Sequence, residues 1–525
     1  MGRGSSGGRR RRRGARGARG GAERTRRVDL ERYRSIIGDF ARFSAIAETP
    51  EPTVFRIRRG RVPEAELLER LTAKGFCTCP LEGLPGFHRV EEGPGSLALT
   101  EEHWLGLLYV QQASTGVAAP AIGPRPGERV LDLCSAPGGK TTHMADLMGD
   151  TGCLVASEIS ESRIRGLLGN VYRLGHPGVF VVAGDGRDFP EDVRFDRVLV
   201  DAPCSGEGTL RRRGGQPPNQ SPSFVGYVTG AQRALLEKAV RVTRPGGTIL
   251  YVTCTFAPEE NEAVVSDALA RLPVDLEPLD LPVPHAPGLT SFDGVRYDPR
   301  LEGAARIYPH HFDSGGLFLA RLRRLDDGSG HGHGAESGWT PVPAVFPGED
   351  IDAGAGEALL REGVAEVRDR FGVDADLAGV RWTLRGGRAW MHSLDAWPLP
   401  SWTGEGWRPI SVGIRAIDFD SRGRPRPTND FLRWLDVAVG ERVVEPTAAE
   451  LRALLHRETV PTELDDRGPV ALAHGGHVIG RGAVTVDGLK SEIPRARAVD
   501  LLRCISAGEE GGVRQGPDPD GLDDL

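Results

Sequence analysis

Residues 130–140, Val-Leu-Asp-Leu-Cys-Ser-Ala-Pro-Gly-Gly-Lys, constrain the fold of this chain more than any other stretch. Val130, Leu131 and Leu133 form a short apolar run, typical of a parallel strand that is buried on both faces. The glycines that follow allow a sharp turn close to a ligand. Lys140 then begins a helical stretch whose first N–H groups face that ligand. Because ligands of open α/β sheets lie at the carboxyl ends of the strands, the stretch predicts a nucleotide or nucleoside cofactor site.

Two other kinds of glycine loop do not fit this stretch. The phosphate loop requires a glycine at the position that Cys134 occupies here. The dinucleotide fingerprint Gly-x-Gly-x-x-Gly is absent from the stretch. A tight strand–helix turn without a ligand remains the alternative at this point, and residues further along the chain decide against it.

Composition bounds the class of protein. A chain of 525 residues is expected to hold about two to four domains. Its apolar runs are all shorter than the roughly 18 residues that a membrane span needs, so a soluble protein is expected. The 7 scattered cysteines indicate a reducing compartment, here the cytoplasm. The net charge of −7 argues against a uniformly basic nucleic-acid binder, so contact with RNA or DNA has to use local patches.

Both ends of the chain differ in composition from its middle. Residues 1–27 are rich in arginine and glycine, and Glu23 is the only acid among them. Such a segment cannot bury a core, so we predict a disordered tail, which is suited to releasing counterions from nucleic acid. Met1-Gly2 with Ser6 also fits a myristoylation pattern, and the arginine content fits a transit peptide. Residues 506–525 are predicted to be an acidic tail.

A small α/β domain is predicted over residues 28–115. Apolar side chains recur at helical spacing over 29–47 and predict one amphipathic helix. Thr53–Ile57 is predicted as a strand, and Glu64–Lys74 as a second helix. The basic run Arg56-Ile-Arg-Arg-Gly-Arg61 favours two interpretations equally, an RNA-contacting surface or a solvated strand edge.

Strands and helices alternate from 116 to 325, which predicts an α/β fold with a doubly wound parallel sheet. Strands are expected at 154–157, 179–183, 198–200 and 249–252, with a helix at 232–242. Glu158, Asp185, Asp201, Cys204 and Cys254 follow strand ends, so they converge on the edge that holds the glycine turn. An acid about 20 positions after such a turn can accept hydrogen bonds from ribose hydroxyls, which fits Glu158. Position alone leaves open whether the two cysteines are small apolar residues or take part in chemistry.

Three ordered blocks resemble the signatures of a known family. They are Leu133-Cys-Ser-Ala-Pro-Gly-Gly-Lys-Thr141, Asp201-Ala-Pro-Cys-Ser-Gly-Glu-Gly-Thr209 and Tyr251-Val-Thr-Cys-Thr-Phe-Ala-Pro-Glu-Glu-Asn-Glu262. The chain is identified from them as similar to the Nol1/Nop2/Sun (Fmu) family of S-adenosylmethionine-dependent RNA cytosine-C5 methyltransferases. The resemblance covers roughly 30–325 and implies a Rossmann-like fold.

The resemblance implies catalytic roles for four residues. Carbon C5 of cytosine is a poor nucleophile, so a thiolate first adds to C6 and moves electron density onto C5. Cys254 is implied as that nucleophile, and Asp201 as the group that shares a proton at N3 of the flipped base. Cys204 is implied to assist loss of the C5 proton and release of the product. Lys140 and the positive cofactor are expected to lower the pKa of a thiol.

The cofactor implied by the resemblance is S-adenosyl-L-methionine. Glu158 is placed at the ribose, Asp185 at the adenine and Asp201 near the methionine end. The turn contributes Cys134, Ser135, Ala136, Pro137, Gly138, Gly139 and Lys140. No metal is expected, because the Cys77-x-Cys79 pair stands alone, and because His331 and His333 lie in a glycine-rich linker at 326–340.

The C-terminal part resembles, less specifically, two domains of bacterial ribosomal RNA members of that family. Residues 341–440 resemble their connecting domain, and 441–505 resemble their PUA-like RNA-binding domain. The alternation over Gly475–Lys490 predicts a hairpin. This architecture favours 16S ribosomal RNA as the substrate of a cytoplasmic monomer, with transfer RNA as the alternative.

Two further hypotheses compete with an RNA methyltransferase. One is a DNA cytosine methyltransferase, but those enzymes place the attacking thiol in the Pro-Cys block and lack the Thr-Cys block found here. The other is a non-catalytic RNA-binding or ribosome-assembly factor that keeps the fold. The intact Asp201, Cys204 and Cys254 argue against lost catalysis.

Overall fold

The computed structural model describes residues 30–212, 221–326, 338–375, 377, 379–398 and 406–510. The predicted tail at 1–27, most of the predicted linker with His331 and His333, and the chain after 510 lie outside these residues. Within the described part, no helix is long and apolar enough to cross a membrane.

An antiparallel four-stranded sheet forms the N-terminal unit, in the order β2-β3-β1-β4. Its strands are β1 Val54–Ile57, β2 Cys77–Pro80, β3 Phe87–Glu92 and β4 Leu108–Val110, and its helices are α1 Phe40–Ala47, α2 Glu64–Ala73 and α3 Glu101–Leu105. The prediction of one helix over 29–47 is wrong. A 3-10 turn at Leu30–Tyr33 is separated from α1, because the Asp39 side chain accepts a hydrogen bond from Arg42 N and begins a new helix there.

A ten-stranded sheet forms the centre of the molecule. Its first strands are β5 Arg129–Asp132, β6 Cys153–Glu158, β7 Val179–Ala183, β8 Phe195–Asp201, β9 Thr243–Thr253, β10 Val274–Glu277 and β11 Ala286–Pro287. Beyond the separate hairpin β12 Ser291–Phe292 and β13 Val295–Arg296, it continues with β14 Ala305–Ile307 and β15 Leu317–Arg324. The run β9-β8-β5-β6-β7 is parallel throughout, which confirms the predicted doubly wound α/β fold.

Helices cover both faces of this sheet. They are α4 Ala113–Gly116, α5 Ala118–Ile122, α6 Gly139–Met148, α7 Glu161–Leu174, α8 Pro222–Val242, α9 Glu262–Arg271 and α10 Pro309–Phe312. Val130 packs in the cluster under α5, α6 and α7, whereas its neighbour Leu131 packs in the opposite cluster with α8 and α9. Because successive strand residues face opposite sides, a strand covered on both faces needs adjacent apolar residues such as Val130 and Leu131.

The C-terminal half adds an unpredicted strand to the central sheet. It contains α11 Ala353–Phe371 and α12 Asn429–Leu435, and the strands β16 Arg381–Arg385, β17 Arg388–His392, β18 Arg408–Val412, β19 Ile414–Phe419 and β20 Pro425–Pro427. Strand β18 pairs antiparallel with β7, and the remaining four form their own sheet. The edge of β7 is therefore covered by chain that lies far beyond residue 325.

The last sheet contains the predicted hairpin. Its strands are β21 Val443–Val444, β22 Gly468–His474, β23 His477–Thr485 and β24 Gly488–Ser491, with helices α13 Ala448–Leu455 and α14 Arg495–Glu510. The hairpin predicted over Gly475–Lys490 is formed by β23 and β24. A further hairpin joins β22 to β23, where Gly475 and Gly476 both have positive φ angles and form the turn. A two-glycine turn of this kind matches the twist of antiparallel strands.

The arginine run that begins on β1 joins the N-terminal unit to the central sheet unit and to the C-terminal half. Arg56 and Arg58 are buried and pair with Asp146 of α6, and Arg58 also lies 2.7 Å from Asp150. Arg61 donates to the carbonyl oxygens of residues 433 and 434. An RNA-contacting surface at Arg56 and Arg58 is therefore wrong, and so is a solvated edge, because both guanidinium groups are shielded from solvent.

Candidate active site

The glycine turn lies where the sequence places it, between β5 and α6. Gly138 adopts φ +106°, a left-handed conformation that side chains rarely tolerate, and it precedes the first residue of α6. A Cβ atom on Gly139 would lie 3.3 Å from the ring of Tyr109, so a side chain at position 139 would crowd that ring. Ser135 Oγ donates to the Ser157 carbonyl at 2.9 Å and fastens the turn to β6. The N–H groups that begin α6 therefore face the carboxyl edge of the sheet.

Two carboxylates follow the neighbouring strands β6 and β7. Glu158 is 2% exposed, and its carboxylate accepts hydrogen bonds from Ala136 N at 3.3 Å and Ser160 N at 2.9 Å. Asp185 accepts a hydrogen bond from Arg187 N and pairs with the Arg187 guanidinium, which lowers the pKa of Asp185 below its ordinary value. Glu158 thus contacts the glycine turn directly, whereas Asp185 stands at the same edge without a bond to it.

Lys140 and Asp201 form an ion pair at the centre of this edge. Lys140 Nζ lies 2.7 Å from Asp201 Oδ2, and both side chains are partly buried. Burial lowers the pKa of Lys140, but attraction to Asp201 and to Cys254 outweighs burial and raises that pKa above its ordinary value. Because the interaction is reciprocal, the ammonium of Lys140 favours the thiolate form of Cys254.

The two predicted cysteines are brought together. Cys204 Sγ lies 3.2 Å from Cys254 Sγ, and both residues are half-buried. The hydrogen bond with Cys254, followed by burial, raises the pKa of the Cys204 thiol well above its ordinary value. Two negative charges on sulfur atoms this close repel each other, so the state in which both thiols have lost their protons is disfavoured.

Cys134 lies on the glycine turn and is not an activated thiol. Burial, together with the negative charges of Asp132 and Glu158, raises its pKa well above the ordinary value. This side chain therefore lines the site and does not act as a nucleophile.

Asp132 is a buried acid of the site to which the sequence analysis assigned no role. It ends β5, is 1% exposed, and accepts a hydrogen bond from Thr141 Oγ1 at 2.7 Å. Burial, with repulsion from Asp201, raises the pKa of Asp132 to about 7. Its position at a strand end next to the turn is the signal that would have identified it.

Fold and site together define a Rossmann-like methyltransferase. The model of the family described as "16S rRNA methyltransferase RsmB/F" matches residues 119–323. The ribosomal RNA small subunit methyltransferase F of Klebsiella pneumoniae is 30% identical over 479 residues, covering 87% of this chain and 92% of the relative. That of Erwinia tasmaniensis is 33% identical over 387 residues, covering 71% and 75%.

Two further relatives agree with this assignment. The human 28S rRNA (cytosine(4447)-C(5))-methyltransferase is 32% identical over 326 residues, covering 59% of this chain and 40% of the relative. The crystal structure of a methyltransferase homologue from Pyrococcus horikoshii has a TM-score of 0.51 and 34% identity, covering 56% of this chain and 94% of that one. The chain belongs to the Nol1/Nop2/Sun family of RNA cytosine-C5 methyltransferases, which confirms the resemblance found in its sequence.

Proposed function

We propose that this protein transfers a methyl group from S-adenosylmethionine to C5 of a cytosine in small-subunit ribosomal RNA. The observation that carries this proposal is the cysteine pair, with Sγ atoms 3.2 Å apart, beside the Lys140–Asp201 ion pair. A thiol nucleophile, a second thiol and an acid within one edge are what addition to a pyrimidine ring requires. The names of the bacterial relatives support small-subunit ribosomal RNA as the substrate.

The residues at the sheet edge fit the proposed cofactor. Residues 134–140 and the N-terminus of α6 would hold its methionine part, with Asp201 beside it. Glu158 would accept hydrogen bonds from the ribose hydroxyls, and Asp185 from the adenine amino group. Supporting this, the left-handed Gly138 keeps side-chain atoms away from the start of α6, and both acids follow adjacent parallel strands. When bound, S-adenosylmethionine supplies an electrophilic methyl group on a positively charged sulfur.

The chain's own residues would act in a fixed order. The Cys254 thiolate adds to C6 of the cytosine, and the electron pair of the C5–C6 double bond moves to C5. Asp201 shares a proton with N3, which the Lys140 ammonium paired with it supplies, and so disperses the resulting charge. Carbon C5 then gains the methyl group. Once Cys254 is bonded to C6, the Cys204 thiol gives its own proton to water, and the resulting thiolate takes the proton from C5. The electrons of that C–H bond rebuild the double bond, and the Cys254 sulfur leaves as a thiolate.

We propose that residues 441–505 add an RNA-binding surface. A groove of about 540 Å³ between α13 and α14, here named the arginine groove, supports this. Its basic lining residues are Arg452, His456, Arg457, Arg495 and Arg503. Asp500 lies 3.4 Å from Arg503 and partly balances its charge, and the Arg457 guanidinium donates to the carbonyl oxygens of Ser491 and Ile493. A concave surface with this excess of guanidinium groups suits the phosphates of an RNA strand.

The remaining expectations are also proposals. The N-terminal unit at 28–115 would contact RNA at positions other than the buried Arg56 and Arg58, and residues 341–440 would connect the methyltransferase unit to the RNA-binding unit. A cytoplasmic location is supported by the cysteines, because all 7 are free thiols, which fits a reducing compartment. A monomeric state is part of the same proposal.

Methyl transfer to separate nucleic-acid pools tests the proposed function. The purified protein is incubated with S-adenosylmethionine labelled on its methyl group and with ribosomal RNA, 30S subunits, transfer RNA or DNA. We expect 5-methylcytosine in small-subunit RNA with wild type and none with Cys254→Ala. Label confined to transfer RNA or DNA, or no transfer to any pool, would overturn the proposal.

A further inference from the structure

Cys204 lies on an irregular segment that has no hydrogen-bonded place in a strand of the central sheet. Strand β8 ends at Asp201, and residues 202–206 have no regular structure before the 3-10 turn at Glu207–Thr209. The position of the Cys204 sulfur relative to Cys254 therefore depends on what contacts the neighbours of Cys204. A shift of about 1 Å in a reacting group is enough to slow a reaction on the order of a hundredfold.

Two buried side chains hold the peptide groups on either side of Cys204. Gln232, on α8, donates from Nε2 to the Pro203 carbonyl at 2.8 Å. Glu260 accepts a hydrogen bond from Ser205 N at 2.9 Å through its Oε2 atom. The same Oε2 atom accepts from Gln232 Nε2 at 3.1 Å, so the two side chains form one connected unit. Both residues are 0% exposed.

Further hydrogen bonds connect these two side chains and Ser205 to the neighbouring chain. The Tyr251 hydroxyl, from β9, donates to the Glu260 carbonyl at 2.6 Å. Ser205 Oγ lies 2.8 Å from Thr255 Oγ1, which connects the neighbour of Cys204 to the neighbour of Cys254. Replacing the Glu260 side chain is therefore expected to displace first the segments that carry Cys204 and Cys254.

Glu260 uses only one of its two carboxylate oxygens. Its Oε1 atom is buried and has no hydrogen-bond partner among the described residues. Burial raises the pKa of Glu260, against the hydrogen bonds from Ser205 and Gln232 that lower it. The segment that carries Cys204 therefore requires one acceptor oxygen from Glu260 and not its negative charge. Glutamine at this position would retain that oxygen, whereas alanine would remove it.

We propose that Gln232 and Glu260 are positioning residues that hold Cys204 over the covalent adduct, so that loss of the C5 proton and release of Cys254 are fast. The inference rests on the proposed function, because it assumes that Cys204 acts in release. Neither side chain is assigned to contact RNA or cofactor. Their effect is expected on the last step and not on the addition of Cys254.

The fraction of protein that is covalently linked to RNA tests this inference. Wild type, Glu260→Ala, Glu260→Gln and Gln232→Leu are incubated with cofactor and RNA, denatured, and the fraction of protein that remains linked to RNA is determined. Cys204→Ala serves as the reference for blocked release. Glu259→Ala is the matched control, because that neighbouring acid pairs with Arg32 at the surface and not with the cysteine loop. Cofactor affinity and melting temperature are measured for every variant.

We expect Glu260→Ala and Gln232→Leu to raise the adduct fraction and to lower kcat on the order of tenfold, with cofactor affinity unchanged. Glu260→Gln should return the adduct to the wild-type level. Wild-type adduct in both Glu260→Ala and Gln232→Leu, or equal adduct in Glu260→Gln and Glu260→Ala, would overturn the inference. Loss of both adduct and product in Glu260→Ala would also overturn it, because the residue would then act in attack. No adduct with Cys204→Ala would instead refute the proposed function, and the inference with it.

Discussion

Cys204 Sγ and Cys254 Sγ lie 3.2 Å apart, although the two residues are 50 positions apart in the chain. They meet because β8 and β9 are neighbouring parallel strands with Asp201 opposite Val252. Each strand delivers a cysteine just beyond its carboxyl end. The contact also restricts both thiols, since a proton held between them cannot leave either one freely.

This contact predicts reversible inactivation by oxidation. Closing a disulfide requires the sulfur atoms to approach to about 2.05 Å, which two irregular loops can allow. We expect treatment with diamide to abolish methyl transfer and dithiothreitol to restore it. Mass spectrometry of peptides should show Cys204 linked to Cys254. A linkage formed only at the exposed Cys77, with activity lost to the same degree, would contradict this assignment.

Asp132 predicts a pH dependence of stability. Its pKa is about 7 in the folded protein, above the ordinary value of 3.8, because it is buried. Between these two values the folded state binds more protons at this site than the unfolded state, so the free energy of unfolding falls as pH rises from roughly 4 to 7. At its steepest the loss approaches about 1.4 kcal/mol per pH unit.

Asp132→Asn provides the comparison, because asparagine does not titrate. Its unfolding free energy relative to wild type should rise between pH 4 and 7, as measured by urea denaturation. Equal pH profiles for the two proteins would show that Asp132 has no raised pKa.

The sequence predicted the strand-end residues well, and for a physical reason. Parallel strands place their carboxyl ends on one edge, so identifying the strands was enough to bring Glu158, Asp185 and Asp201 together. The added strand β18 could not be found this way, since its pairing with β7 spans more than two hundred residues of chain and has no local signal. The positions of Gln232 and Glu260 likewise depend on tertiary contacts.

The arginine run shows why a row of basic residues in a sequence does not by itself predict an exposed surface. A row of basic residues predicts a solvated or RNA-contacting surface only if no acid reaches it. Here Asp146 and Asp150 reach it from α6 and the turn that follows. Those acids lie about ninety positions further along the chain, so only the folded structure reveals the pairing.

Arg58 is therefore predicted to act in stability. Arg58 pairs with Asp146 and Asp150, and Arg56 can balance only Asp146. Removing Arg58 therefore leaves one acid uncompensated, which costs about 3–5 kcal/mol for a buried pair. We expect Arg58→Met to lower the urea midpoint strongly, whereas Arg59→Met at the exposed neighbouring position should not. An unchanged midpoint together with weakened RNA binding would restore the RNA-contact interpretation of this run.

The arginine groove predicts a salt-dependent effect on RNA affinity. Arg495→Glu and Arg503→Glu should raise KM for the RNA substrate and leave kcat and cofactor affinity unchanged. Each lost phosphate contact should reduce the slope of log affinity against log salt by about 0.7–0.9. Arg422→Glu, an exposed arginine outside the groove, is the control. Identical slopes for all three variants and wild type would exclude the groove as an RNA contact.

The central claim is that Cys254 attacks and Cys204 releases, and covalent trapping tests it most directly. Cys204→Ala, Cys254→Ala and the double variant are incubated with cofactor and ribosomal RNA, and linked species are separated under denaturing conditions. We expect a stable protein–RNA adduct with Cys204→Ala alone, since attack survives and proton removal does not. The adduct should disappear in the double variant. An adduct that persists in Cys254→Ala, or one that needs Cys204, would contradict the assignment of the two thiols.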